Sequence, residues 1–330
     1  GRREGGGTRF VVKWVAEARQ LREAGVETGG ILMLRATVDR EELEQLVDLS
    51  VVCTVSSVDT GLALNAVAEN RSTVAEAHIQ VDTGLGFGGF LISEPEKILR
   101  AYRSLPNVAL SGIYTQLHAV TGKSQEVDGQ LKQFQQVLEA IHQAGFETGT
   151  VHAAGSFALM HFDCARLDAV RAGSAILGRC RRTKGDGLTT VGYGEATITE
   201  VRWLPKGHTT GYGAGWKAKR PTRVAILPVG WYNGFGCEMG NDLFRFRDCL
   251  RRIAASLRTM LFGKAYYVTI NGKRCKVLGH IGMLHTAADV SGIQCSLGDP
   301  ARVGSNRLCR RGMTWNGRYQ GTTDCSPPSR

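Results

Sequence analysis

The sequence predicts an α/β chain: a (β/α)8-type TIM barrel whose first βα unit is missing, followed by a mainly β C-terminal domain. Three observations carry that expectation. Short β-branched runs alternate with helical patterns over the first half of the chain, which is the signature of βα units. Beyond about Gly185 the pattern changes to strand-like runs separated by turn residues. Finally, two short apolar runs end in His152-Ala153-Ala154-Gly155-Ser156 and Arg171-Ala172-Gly173-Ser174, small residues closed by a hydroxyl. Such ends let backbone N–H groups approach an anion closely. A barrel commonly holds a phosphate at the loops after its last two strands.

In order, strands are expected at residues 9–12, 31–34, 51–55, 77–81, 110–117, 148–153 and 167–171. Helices with 3.6 spacing are expected between them, as at 15–24, 40–49 and 130–144, where Leu131, Phe134, Val137, Leu138 and Ile141 share a face. Seven strands do not close a barrel of eight, because closure fixes strand number, tilt and shear together. One βα unit is therefore expected to precede residue 1. In the second half, strands are expected at 197–204, 223–229, 265–270 and 274–278, with turns at Lys206-Gly207 and Asn271-Gly272. The second turn matches a type I′ hairpin. A basic helix at 246–262 interrupts this half. The expected division is a barrel domain over 1–185, a β domain over 186–303 and a poorly ordered tail over 304–330, rich in Arg, Gly, Ser and Pro.

Composition narrows the function classes. With 330 residues, 42% hydrophobic and 22% charged, the chain is globular. No apolar run approaches the ~20 residues that span a bilayer, so no membrane partner is expected. Nine scattered cysteines without a CxxC pair read as free thiols in a reducing compartment, which places the protein in the cytoplasm. The net charge of +11 raises nucleic acid as a partner, yet the basic residues are dispersed. Clusters such as Arg179-Cys180-Arg181-Arg182-Thr183-Lys184 lack interleaved aromatics. No nucleic-acid partner is expected; an anionic ligand would gain from the same charge.

Three motifs are set aside. Gly84-Leu85-Gly86-Phe87-Gly88-Gly89 fits GxGxxG, but no acidic residue follows about 20 positions on. The eight histidines form no HExxH, so metal ligation is not expected. Ser156 lacks the glycine-flanked elbow of hydrolases.

Many pieces of the chain, in order and spacing, resemble the alanine racemase family. They include Val81-Asp82-Thr83-Gly84-Leu85-Gly86, Gly112-Ile113-Tyr114-Thr115, His152-Ala153-Ala154-Gly155-Ser156 and Asp168-Ala169-Val170-Arg171-Ala172-Gly173. Gly211-Tyr212-Gly213, Leu227-Pro228-Val229-Gly230-Trp231-Tyr232-Asn233-Gly234 and Asn271-Gly272-Lys273-Arg274-Cys275 continue the match. The resemblance implies a pyridoxal 5′-phosphate (PLP) enzyme that converts L- to D-alanine for peptidoglycan precursors. It implies a homodimer in which the partner's C-terminal domain completes each site. It places the cofactor phosphate on Ser156, Gly173 and Ser174, with His152 and Arg171 in support, and Met283 beside the substrate.

The resemblance also implies two bases on opposite sides of the cofactor plane. One is a lysine on the first barrel strand, which this chain lacks; Lys13 follows Arg9-Phe10-Val11-Val12, which aligns with the second strand. The other is a tyrosine expected directly after Gly230, where Trp231 stands. An indole N–H cannot act as a base. Tyr232, next to it, is the candidate base, although a one-residue offset on an extended strand turns its side chain to the other face unless the strand is bulged. Phe87 replaces an arginine, Gln80 a lysine and Gln116 a histidine; His118 lies two residues further along the same expected strand. Gly155 replaces an asparagine, and a Met-Asp pair reads Met283-Leu284. The expectation is a racemase-type chain that grips PLP by its phosphate but has negligible turnover. The second reading is a non-catalytic module that binds PLP or an amino acid.

Overall fold

In a computed structural model, residues 9–26, 30–118, 124–178, 187–237, 246–262, 265–304 and 312 are described. The chain divides into two compact units, Gly1–Val191 and Gly192–Arg330.

In the first unit the elements run β1 (Phe10–Val12), α1 (Val15–Glu23), β2 (Ile31–Met33), α2 (Arg40–Asp48), β3 (Cys53–Val55), α3 (Val58–Asn70) and β4 (Ala75–Asp82). They continue as β5 (Phe90–Leu91), α4 (Pro95–Ser104), β6 (Val108–Thr115), α5 (Ser124–Gln143), β7 (Thr150–Gly155), α6 (Ser156–His161) and β8 (Ala169–Arg171). All seven expected strands form, and every ladder is parallel: β1 with β2, then β3-β4-β6-β7-β8, with Leu32 bridging to Val52 between β2 and β3. Parallel pairing follows from the βα order, since each strand needs a crossover before the next. The two-residue β5, which no alternation in the sequence marks, pairs with β4. Among the described residues no ladder joins β8 to β1, so these are the two edges of the arc.

Local chemistry starts the helices where they start. The Asp39 carboxylate accepts the Glu42 N–H at 2.8 Å, and the Ser57 hydroxyl oxygen accepts the Thr60 N–H at 3.1 Å. On the helix-facing side of the arc Ile31, Met33, Val55, Ile79 and Ile113 are fully buried and join one core with Leu46, Leu64, Ile98 and Phe134 from the helices. α5 begins six residues before its expected start at 130. Val127 is fully buried one turn before Gln130, so the apolar face reaches across Gly129.

In the second unit β9 (Gly194–Thr197), β10 (Glu200–Leu204), β11 (Thr209–Thr210), β12 (Trp216–Lys217), β13 (Thr222–Leu227) and α7 (Phe246–Phe262) precede β14 (Tyr267–Ile270), β15 (Lys273–Leu278), β16 (Thr286–Asp289) and β17 (Pro300–Val303). Seven of these strands form one sheet in the order β10-β13-β16-β15-β14-β17-β9. The single strand expected at 197–204 is two strands on opposite edges of this sheet. Ile198 N–H donates to the Asp299 carbonyl and Thr199 N–H to the Ile226 carbonyl, each at 3.0 Å, so the chain changes partner between them. Two linking residues reach about 10 Å, whereas six strand spacings laid flat would span about 29 Å. The sheet must therefore curl until its edges nearly meet. Ile198, Leu227, Val268, Ile270, Ala288 and Val290 are buried inside the curl.

At Asn271-Gly272 the φ angles are 48° and 76°, and Ile270 pairs with Lys273. Both turn residues are left-handed, as the type I′ expectation requires. The tail beyond 304 lies outside the described residues except for Gly312. Among the described residues no helix is long and apolar enough to cross a membrane.

Candidate active site

The C-terminal ends of the parallel strands converge on a cavity of about 770 Å³. Its walls come from Lys13 after β1, Leu34 after β2, Gln116 after β6, Gly155 and Ser156 at the β7–α6 junction, and Arg171 to Ser174 at the end of β8. That volume suits a small phosphorylated molecule. Arg9, Lys13 and Arg171 line it, and among the described lining residues there is no carboxylate. An anion entering this space meets only positive formal charge.

Ser156 and Gly173 meet as the sequence predicted. The Ser156 hydroxyl oxygen accepts the N–H of Gly173 at 2.8 Å and of Ala175 at 3.2 Å, pinning the loop after β8 to the start of α6. A Cβ built on Gly173 meets nothing within 4 Å. The absent side chain leaves open space on the cavity wall, where a larger residue would intrude.

Arg171 ties this corner to the barrel interior. Its Nη2 donates to the carbonyls of Thr115 (2.7 Å) and Ala153 (2.9 Å) and to Gln116 Oε1 (3.0 Å). Its Nη1 donates to His152 Nδ1 at 2.5 Å, and the guanidinium lies 5.2 Å over the Tyr114 ring. Burial lowers its affinity for its proton to a pKa of about 10, which still leaves it charged at neutral pH.

A guanidinium has donors only, so His152 Nδ1 must accept and its Nε2 must carry the hydrogen. That Nε2 sits 2.9 Å from His78 Nδ1, which accepts in turn. One fixed cation thus sets the tautomer of two buried imidazoles. Burial, followed by the field of Arg171, pushes His152 down to about 2; burial, followed by the fields of Arg9 and Arg171, pushes His78 down to about 4. Both rings are neutral at physiological pH. His78 fits only because Gly112 faces it: a Cβ there would lie 2.6 Å from the ring. The sequence reading missed His78, because its partner is 74 residues away and only the β4-β6-β7 register unites them.

Several expectations change. β6 stops at Thr115, so Gln116 and His118 do not share a strand face. Gln116 turns into the cavity as an acceptor for Arg171, while the His118 N–H donates to Gln130 Oε1 at 3.2 Å and its ring lies beside Gly84. In the Gly84–Gly89 loop, the Asp82 carboxylate takes the N–H groups of Gly84 (2.8 Å) and Gly86 (3.0 Å). The loop binds its own aspartate, and Phe87 is 83% exposed.

Tyr232 and Met283 belong to the second unit. Residues 231–233 form a 3-10 turn instead of an extended strand, so the opposite-faces argument for Tyr232 does not hold. Just before the turn the extended Gly230 packs against the carbonyls of Gly282 and Met283, where a Cβ would lie 2.0 and 2.5 Å away. The N–H of Tyr232 donates to the Met283 carbonyl at 3.1 Å, which brings these two candidates together. A second phenol was passed over. Tyr212, between Gly211 (φ 82°) and Gly213 (φ 65°), is 78% exposed and lines a cavity of about 360 Å³ with His280 and His285. An exposed aromatic between two turn glycines was the available signal.

A parallel βα arc with a cavity at its strand ends whose charged lining residues are all cationic, followed in the chain by a curled antiparallel sheet, defines the class of α/β-barrel enzymes with an appended β domain. Residues 2–180 match the family description "Alanine racemase, N-terminal domain", and residues 191–313 match "Alanine racemase, C-terminal domain". The chain belongs to the alanine racemase family. It is 28% identical over 298 residues to the alanine racemase of Clostridium novyi (88% of this chain, 70% of that one). It is also 28% identical over 293 residues to that of Methylacidiphilum infernorum (87% and 67%). Its fold is similar to the alanine racemase of Clostridium difficile 630, with a TM-score of 0.73 at 21% identity, covering 90% of this chain and 73% of that one. The Bacillus anthracis alanine racemase with bound L-Ala-P gives 0.71 at 22%, covering 89% and 71%.

Proposed function

We propose that this protein is a PLP-dependent alanine racemase and that residues 1–330 hold the phosphate end of the cofactor. The observation that carries the reading is the corner where Ser156 accepts the Gly173 and Ala175 N–H groups, on the wall of a cavity whose charged lining residues are all cations. The donor set fits a phosphate monoester: the Ser156 hydroxyl, the Gly173 and Ala175 N–H groups once they exchange the Ser156 oxygen for a phosphate oxygen, and the cationic side chains on the wall. Ser156, Gly173 and Ser174 would hold the phosphate. Arg171, locked in place by His152 and three oxygen acceptors, would support the grip as a fixed charge on the cavity wall. Bound PLP supplies the electron sink that makes the alanine Cα–H acidic.

The chain's own residues must move the proton. Tyr232 is proposed as the phenol on one side, with Met283 beside the substrate; the exposed Tyr212 on its own cavity is a second phenol for the same role. We further propose a homodimer whose second unit serves the partner's barrel, acting in the cytoplasm to supply D-alanine for peptidoglycan. Reduced thiols at Cys53, Cys275 and Cys295 suit that compartment. The family's lysine-bearing strand has no counterpart among residues 1–330, so these residues alone are expected to bind PLP without a covalent link. The second reading, a non-catalytic binding module, is favoured by the neutral Gln116 on the wall and by Phe87 turned to solvent.

Absorbance titration with PLP and with pyridoxal, followed by borohydride reduction and peptide mass mapping, tests this. Saturable binding of PLP but not pyridoxal is expected, with no label retained. Equal binding of both would remove the phosphate grip, and label on Lys13 would make that cavity-wall amine a substitute for the absent lysine. Deuterium exchange at alanine Cα separates enzyme from module; loss of exchange in Tyr232→Phe or in Tyr212→Phe would assign the phenol.

A further inference from the structure

Helix α7 is not used by any step above, and its surface is unlike the rest of the second unit. Phe246, Leu250, Ile253, Leu257, Met260 and Leu261 fall within an arc of about 100° when successive residues turn by ~100°. They form one continuous apolar stripe. Every one of the six is exposed, from 49% at Leu250 to 77% at Phe246. A helix of 17 residues is about 25 Å long, so the stripe exposes on the order of several hundred Å² of apolar surface. Soluble proteins rarely leave such a stripe uncovered without a use for it.

Charge tells what covers it. Arg247, Arg251 and Arg258 follow one border of the stripe, and Arg252 lies toward the other; the helix sequence carries four arginines against one aspartate. The surrounding unit is equally one-sided. Residues 192–330 hold 21 of the chain's 41 Lys and Arg but only 8 of its 30 Asp and Glu, a net +13, whereas residues 1–191 carry a net −2. A second copy of α7 laid on the first would set these arginines against their equals. Nucleic acid would satisfy the arginines and leave the apolar stripe in water. A bilayer surface with anionic headgroups satisfies both, taking the stripe into the headgroup–acyl boundary and the guanidinium groups at the phosphates.

We propose that α7 is a surface anchor that lays the second unit on an anionic membrane without crossing it. Its arginines and its length forbid spanning, in agreement with the absence of a crossing helix among the described residues. A surface-lying helix leaves no spanning-segment signal in the sequence, so the expected absence of a membrane partner does not bear on it.

The test is co-sedimentation of the full chain with vesicles of phosphatidylcholine alone and of phosphatidylcholine mixed with about one-third phosphatidylglycerol. Partitioning at least about tenfold stronger onto the anionic vesicles is expected, weakening as salt rises from ~0.05 to ~0.5 M. Ile253→Glu with Leu257→Glu should abolish binding, and Arg247→Gln with Arg258→Gln should weaken it about tenfold. Circular dichroism and PLP titration show whether each variant remains folded; two independent pairs protect the test against one that does not. Equal binding to both vesicle types, no binding, or binding unaffected by both variant pairs overturns the proposal. Self-association without vesicles, measured by sedimentation velocity and lost in the Ile253→Glu, Leu257→Glu variant, overturns it in favour of a second copy.

Discussion

At the scale of single residues, the buried Arg171-His152-His78 chain makes stability depend on acid in a definite direction. Both imidazoles are held neutral in the fold, at about 2 and about 4, while an unfolded histidine takes its proton near 6.5. Their contribution is complete above that unfolded value and is lost as pH falls through it; the His78 share levels off below about 4. Between pH 7 and pH 5 each ring should cost about 2 kcal/mol of stability. Denaturant midpoints at the two pH values, with His78→Gln expected to halve the drop, measure this. Ser156→Ala removes the acceptor for two backbone N–H groups and is expected to cost about 1 kcal/mol and to weaken PLP binding roughly tenfold. Isothermal titration and thermal melting report the two effects separately. That Ser156 and Gly173 lie together was legible in the sequence from two apolar runs ending in small residues, but such residues serve tight turns equally well, and only the family resemblance turned the reading toward a phosphate. The histidine chain was not, since nothing local to His78 or His152 announces a partner on another strand.

At the scale of elements, β-branched runs made the barrel strands readable. Thr286-Ala287-Ala288-Asp289 has little β propensity, yet it sits between β13 and β15 in the sheet and buries Ala288 completely. Its place is decided by neighbours on both sides, which a single pass along the sequence cannot weigh. The Tyr232 offset failed for a similar reason: the 231–233 turn after Gly230 donates its Trp231 and Tyr232 N–H groups to the carbonyls of Gly282 and Met283, some 50 residues on. The β14–β15 hairpin is the opposite case, with its turn written in two letters. Gly272→Val places a β-branched residue at φ 76° and is expected to cost about 1–2 kcal/mol, visible as a lower denaturant midpoint.

At the scale of the whole molecule, charge is divided as sharply as structure. The +13 of residues 192–330 repels itself, while the −2 of residues 1–191 does not. Raising salt from ~0.02 to ~0.2 M should therefore raise the melting temperature of the second unit by several degrees and leave the first nearly unmoved. Calorimetry in the two buffers resolves the transitions; parallel shifts would contradict this assignment of the charge. Composition alone disclosed the +11 but not its placement, because the boundary between the units had first to be drawn.

The partner change between Ile198 and Thr199 also matters while the protein is being made. Among the described residues β9 pairs with β17 alone, so residues 194–197 have no ladder there until residues 300–303 have left the ribosome. The barrel arc has no such delay, since most of its strands pair with one just synthesised. Through about a hundred residues of translation, β9 is an edge waiting for its match, open to the wrong strand or to another nascent chain. A protein whose barrel strands pair as they are made, and whose second sheet closes only when residues 300–303 are available, is most exposed to aggregation while those residues are still being synthesised.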